Sequence, residues 1–183
     1  MKVMGISGLP GSGKSLISEM AKEKGAIIVN MGDCVREEAA KRNLSLGKTA
    51  IELRKEQGDF VVAKLTIKKL KSLETPYKNT LYIIEGIRSP YEVELFKENF
   101  KDFLILSVYA SPKTRFKRVI NRNREDDFNE IENFNKRDKR ELDFGIGIVI
   151  ALSDYLIVND SNLEEYKEKI EIFFNKKENK FYK

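Results

Sequence analysis

Gly8-Leu9-Pro10-Gly11-Ser12-Gly13-Lys14-Ser15 decides how the rest of the chain is read, because of what flanks it. Lys2-Val3-Met4-Gly5-Ile6-Ser7 before it is an apolar run of strand length. Leu16-Ile17-Ser18-Glu19-Met20-Ala21 after it has the spacing of an amphipathic helix. Strand, glycine-rich turn and helix form the setting in which G-x-x-x-x-G-K-S becomes a phosphate cradle. The glycines let the backbone curl until successive N–H groups point at one anion, and the helix start adds unpaired donors and the positive end of its dipole. Lys14 is placed to reach the β- and γ-phosphates, and the Ser15 hydroxyl to hold Mg²⁺. Gly8 through Ser15 are therefore expected to bind a nucleoside triphosphate, ATP with Mg²⁺.

Further apolar runs of strand type stand at 26–29, 81–84, 103–109 and 155–158. Helical segments are predicted over 14–24, 33–41, 48–56, from Gly58-Asp59 to Ser72, 112–122, 136–151 and 162–175. Asp33, Asp59 and Ser111 read as N-caps, the last with Pro112 at the first helical position. Five short buried strands alternating with helices predict an α/β fold, a five-stranded parallel sheet with helices on both faces. The expected domain is single. Its core covers 1–32, 79–122 and 145–183, with acceptor-binding helices over 33–73 and a polar, lid-like excursion over 123–140.

Composition narrows the chemistry. A length of 183 residues suits one self-sufficient core. No apolar run approaches 18 residues, so no membrane span is expected, and strand β-type sequence from Lys2 onward leaves no signal-peptide pattern. The single cysteine, Cys34, fits a reducing cytoplasm and reads as a small structural residue. With no histidine in the chain, catalysis must rest on Lys, Arg, carboxylates and a bound ion. The net charge of +5, from 34 basic against 29 acidic residues, suits a small polyanionic substrate such as a nucleotide but is not strong evidence for DNA or RNA binding, and no nucleic-acid partner is expected. The sequence carries no signal for an oligomeric state.

In open parallel sheets, ligands bind beyond the carboxyl ends of the strands. The segments expected there are the phosphate loop, Asn30 through Arg36, Glu85-Gly86-Ile87-Arg88, a helix with Arg115, Arg118 and Arg122, and Asn159-Asp160-Ser161. Glu85, directly after an apolar strand, stands where such proteins place the carboxylate that serves Mg²⁺ or its water shell. Arg54, Arg115 and Arg124 read as surface charges.

With these landmarks the chain resembles the nucleoside monophosphate kinases, adenylate kinases in particular. Their Gly-Asp-x-x-Arg after the second strand is matched by Gly32-Asp33-Cys34-Val35-Arg36. Their Asp-Gly-x-x-Arg after the third is matched by Glu85-Gly86-Ile87-Arg88, with Glu for Asp and one residue fewer before the arginine. The resemblance implies that Arg36 and Arg88 grip an acceptor phosphate. It implies Arg118 near the adenine, Arg122 near the transferring phosphate, Arg137 and Arg140 as lid arginines, and Asn159-Asp160-Ser161 near the base. The layout is also similar to a group of adenylate-kinase-related archaeal proteins.

Asp33 has two readings. One is a helix cap. The other is a general base toward a hydroxyl acceptor, implied by resemblance to dephospho-coenzyme A kinases. Three functions follow as expectations: a kinase acting on a small nucleotide acceptor, a kinase phosphorylating a hydroxyl such as that of dephospho-coenzyme A, and a regulatory P-loop ATPase that serves a macromolecular partner.

Overall fold

β1 (Lys2–Ser7), β2 (Ile27–Asn30), β3 (Leu81–Ile87), β4 (Leu104–Tyr109) and β5 (Tyr155–Val158) form one sheet in a computed structural model, which describes residues 1–73, 80–122 and 130–175. The order is β2-β3-β1-β4-β5 and every pairing is parallel. This is the five-stranded α/β architecture expected from the strand pattern. Alternation along the strands sends Val3, Tyr82, Ile84 and Ile105 to one face, where they share a core with α4 (Val61–Ser72) and α5 (Pro90–Asn99). Met4, Ile6, Ile83 and Leu106 go to the other face, against α1 (Lys14–Glu23) and α9 (Leu163–Asn175). Both faces are thereby buried, as a parallel sheet requires.

The remaining helices are α2 (Met31–Arg42), α3 (Leu46–Gln57), α6 (Pro112–Arg122), α7 (Ile131–Asp143) and α8 (Ile146–Ala151). Several boundaries differ from expectation for local reasons. α2 starts two residues early because Asn30, not Asp33, caps it: the Asn30 side chain accepts from the Gly32 N–H at 2.8 Å. Asp33 falls inside the first turn. Phe60, not Asp59, occupies the cap position of α4. The helix predicted over 136–151 is two, α7 and α8, parted at Phe144-Gly145.

α5 was not anticipated, although its signal is present. Ser89 accepts from the Glu92 N–H, the Glu92 side chain accepts from the Ser89 N–H, and Pro90 opens the helix. That is a capping box written as Ser-Pro-x-Glu. Among the described residues no helix is long and apolar enough to cross a membrane. Residues 123–129 of the expected lid, Arg124 among them, lie outside the described residues, and its later part is α7.

Candidate active site

The phosphate loop joins β1 to α1 at the carboxyl edge of the sheet. Gly8 has φ of 144°, and a β-carbon there would stand 2.4 Å from the Val108 carbonyl oxygen, so only glycine fits. Lys14 folds back over the loop, its Nζ donating to the carbonyls of Gly8 at 2.6 Å and Leu9 at 3.2 Å. No acidic side chain stands in the first turn of α1. Its positive end is therefore left for an anion.

Three later segments hold the loop's outer carbonyls. Arg115 Nη1 donates to Pro10 O at 3.2 Å, Asn159 Nδ2 to Ser12 O at 2.8 Å, and the Tyr166 hydroxyl to Gly13 O at 3.0 Å. Burial pushes the Tyr166 hydroxyl above the ordinary phenol range, which keeps it a donor. With its outward carbonyls occupied, the loop is fixed with its concave side open to the cleft. Arg118 donates to Asn159 O at 3.0 Å and to Asn159 Oδ1 at 3.2 Å, so it buttresses this clamp. Asp160 accepts from the Ser111 N–H at 2.9 Å, and that hydrogen bond holds its carboxyl below the usual range.

Glu85 lies within β3 rather than after it. The register between β1 and β3 slips at this point, Ile6 pairing with Glu85 but Ser7 with Ile87. Gly86, at φ 98°, makes the bulge possible. The Glu85 carboxylate, 8% exposed, accepts from Ser18 Oγ at 2.7 Å and from Ser15 Oγ at 3.4 Å. The sequence shows the carboxylate, but the bulge that aims it at α1 needs the neighbouring strand's register.

Loop, Glu85 and arginines meet in one open cleft. Lys14, Ser15 and Glu85 border it, and so do Arg36, Arg88, Arg137 and Glu141. Glu141 was not singled out from the sequence. It is 2% exposed, and its carboxylate pairs with Arg88 Nε at 3.2 Å and with Arg140 Nη2 at 3.4 Å. Arg140 also lies along α3: a β-carbon on Gly47 would stand 2.9 Å from its Nη1. Asp33 is not among the residues bordering the cleft, and it is paired with Arg36, both about half exposed. Arg122 ends α6, and its side chain lies outside the described residues.

Two arginines read as surface charges turn inward, Arg115 buried and Arg54 half-buried. Arg115 is 2% exposed. It forms a two-pronged pair with Asp138 of α7, donates to Ala110 O at 3.1 Å, and stacks 5.0 Å from the Phe134 ring centroid. Arg54, 10% exposed, donates to Glu92 Oε1 at 2.8 Å and lies 4.3 Å from the Phe144 ring centroid. Burial pushes the Glu92 carboxyl up, against the pull of Arg54. A second, narrow hollow adjoins the cleft here. Met31, Val35, Leu46, Ala50 and Val62 wall it, and Arg88 stands where the two spaces meet.

A family model described as an AAA domain matches residues 7–135, from the last residue of β1 into α7. With the sheet order and the phosphate loop, that match defines a P-loop domain of kinase-like build. The chain belongs to the UPF0200 family. It is 45% identical to the UPF0200 protein of Methanothermobacter thermautotrophicus over 92% of this chain and 86% of that one. It is 41% identical to that of Pyrococcus furiosus over 91% and 92%. Its fold is that of TT1252 from Thermus thermophilus, with a TM-score of 0.65 at 17% identity, covering 94% of this chain and 96% of the other. These likenesses carry the coarser resemblance drawn from the sequence, to P-loop kinases. Their names specify neither adenylate kinase nor dephospho-coenzyme A kinase.

Proposed function

We propose that the chain is a Mg²⁺-dependent phosphotransferase that moves the γ-phosphate of ATP onto a small, nucleotide-like acceptor. One observation carries this reading: the phosphate loop, the Ser15–Glu85 pair and Arg88 border a single cleft, which continues into a second, mainly apolar hollow. ATP phosphates would lie in the loop beneath Lys14. The acceptor would lie in the cleft on the side of α2, with its reacting group near Arg88.

Phosphoryl transfer asks little covalent chemistry of a protein. It needs alignment, charge opposite the equatorial oxygens and exclusion of water. Lys14 and Arg137 supply charge, and α7 supplies a wall. A hydroxyl and a carboxylate are hard oxygen donors, a pair that fits an ion which keeps most of its waters and takes phosphate oxygens. Ser15 would hold Mg²⁺, with Glu85 on its water shell, and the ion would neutralise charge building on the β- and γ-phosphates. A cytoplasmic setting accords with the single thiol, which lies buried beneath Thr66 and whose pKa burial raises.

ADP release across nucleoside monophosphates and alcohol acceptors tests the proposal. Strong dependence on one acceptor class supports it, and slow turnover indifferent to all of them overturns it. Arg88→Ala is expected to lower kcat/KM for the acceptor about 10- to 100-fold while leaving the Kd for ATP within about twofold. Equal losses on both sides would remove Arg88 from the acceptor site. Glu85→Gln should raise the Mg²⁺ concentration needed for half-maximal nucleotide binding about tenfold, read by calorimetry at fixed ATP.

A further inference from the structure

Both arginines expected to grip an acceptor phosphate already hold carboxylates, and the two pairs differ in kind. Arg36 and Asp33 are about half exposed, so water screens their attraction and an incoming anion could draw Arg36 away at little cost. Glu141 is 2% exposed and depends on Arg88 and Arg140. Taking Arg88 from it would leave a buried carboxylate short of a partner, which is strongly unfavourable. A phosphate dianion drawn to Arg88 would also meet the Glu141 charge. A hydroxyl meets neither obstacle, being neutral and able to donate to a carboxylate oxygen.

We infer that Glu141 sets the acceptor class of this cleft: it keeps phosphate off Arg88 and receives the proton of an acceptor hydroxyl, so the group phosphorylated is an alcohol. The inference rests on the phosphotransferase reading above. In the step, the hydroxyl oxygen forms a bond to the γ-phosphorus. The bond from that phosphorus to the β–γ bridging oxygen breaks, with its electron pair leaving on ADP. The hydroxyl proton passes to a Glu141 carboxylate oxygen. Arg88 and Arg140 orient that carboxylate. Asp33, the base suggested by the sequence, does not border the cleft.

The test uses the full chain and Glu141→Gln. Calorimetry with inorganic phosphate and with AMP, run with Mg²⁺-ADP saturating the phosphate loop, should show weak binding to the wild type and binding tightened about tenfold or more in the variant, since a repelling charge is gone. Turnover with a nucleoside or dephospho-coenzyme A as the alcohol should fall about 100-fold or more, because the proton acceptor is gone. Opposite movements of these two readouts separate the assigned role from a merely structural one, which would weaken both. Glu141→Asp keeps the charge and should retain weak phosphate binding with partial turnover, whether or not the glutamine variant folds.

Phosphorus NMR should show the wild-type product as a phosphomonoester. A diphosphate formed from a nucleoside monophosphate would overturn the inference, as would unchanged phosphate affinity in Glu141→Gln, while leaving ATP-dependent transfer standing. Failure of the wild type to bind Mg²⁺-ATP would take down the phosphotransferase reading and this inference with it.

Discussion

Lys14→Ala is expected to cut ATP turnover by about 10³-fold or more, the order seen when a charge stabilising a transferring group is removed. The ammonium group sits over the loop, held by the Gly8 and Leu9 carbonyls, where the β- and γ-phosphates would enter. It is therefore in place before nucleotide arrives and need not reorganise during transfer. Alanine leaves the backbone cradle intact, so some ATP binding should survive while the chemical step is lost. Lys14 belongs to neither hydrophobic core, and the melting temperature should stay within a few degrees of wild type. Steady-state ADP release, with a thermal melt beside it, checks both halves. Wild-type turnover in the variant would refute the role given to the loop.

Arg115→Ala is expected to be the most destabilising single change among the arginines. The side chain is almost fully buried, pairs with Asp138 by two nitrogens, and donates to Pro10 and Ala110 carbonyls. Its loss strands a carboxylate and two carbonyls, for about 3 kcal/mol or more. For a chain of this size that lowers the melting temperature by about 10 °C. Arg115→Lys should rescue little, because an ammonium cannot reproduce the planar fork. ATP affinity should fall as well, since the Pro10 anchor goes with it. A melting shift under about 2 °C would show that the Arg115–Asp138 pair does not bear on stability.

How far the sequence could be read depends on which contacts are local. Mainly apolar strands of four to seven residues and the glycine-rich turn announce themselves within a window, and the parallel sheet follows from them. Arg115 and Arg54 look like surface charges because their partners, Asp138 and Glu92, lie 23 and 38 residues away, and no helical spacing links them. Glu141 is hidden for the same reason: it stands in a run of charges, Arg137-Asp138-Lys139-Arg140-Glu141, and only the docking of α7 selects which of them turn inward. α5 was missed for a different reason. Its capping box, Ser89–Glu92, is local, but it opens two residues after β3 ends at Ile87, so the strand and helix signals run together.

The anchoring of the phosphate loop bears on how the molecule comes into being. The octapeptide is synthesised before any of the side chains that hold it, and its carbonyls wait for donors 105, 147 and 153 positions downstream. Closing contacts across such spans is entropically slow and follows the nearer pairings. A nascent chain halted before β5 would carry the whole motif without two of its three struts, so the cradle takes its final shape only after Asn159 and Tyr166 have been made and docked.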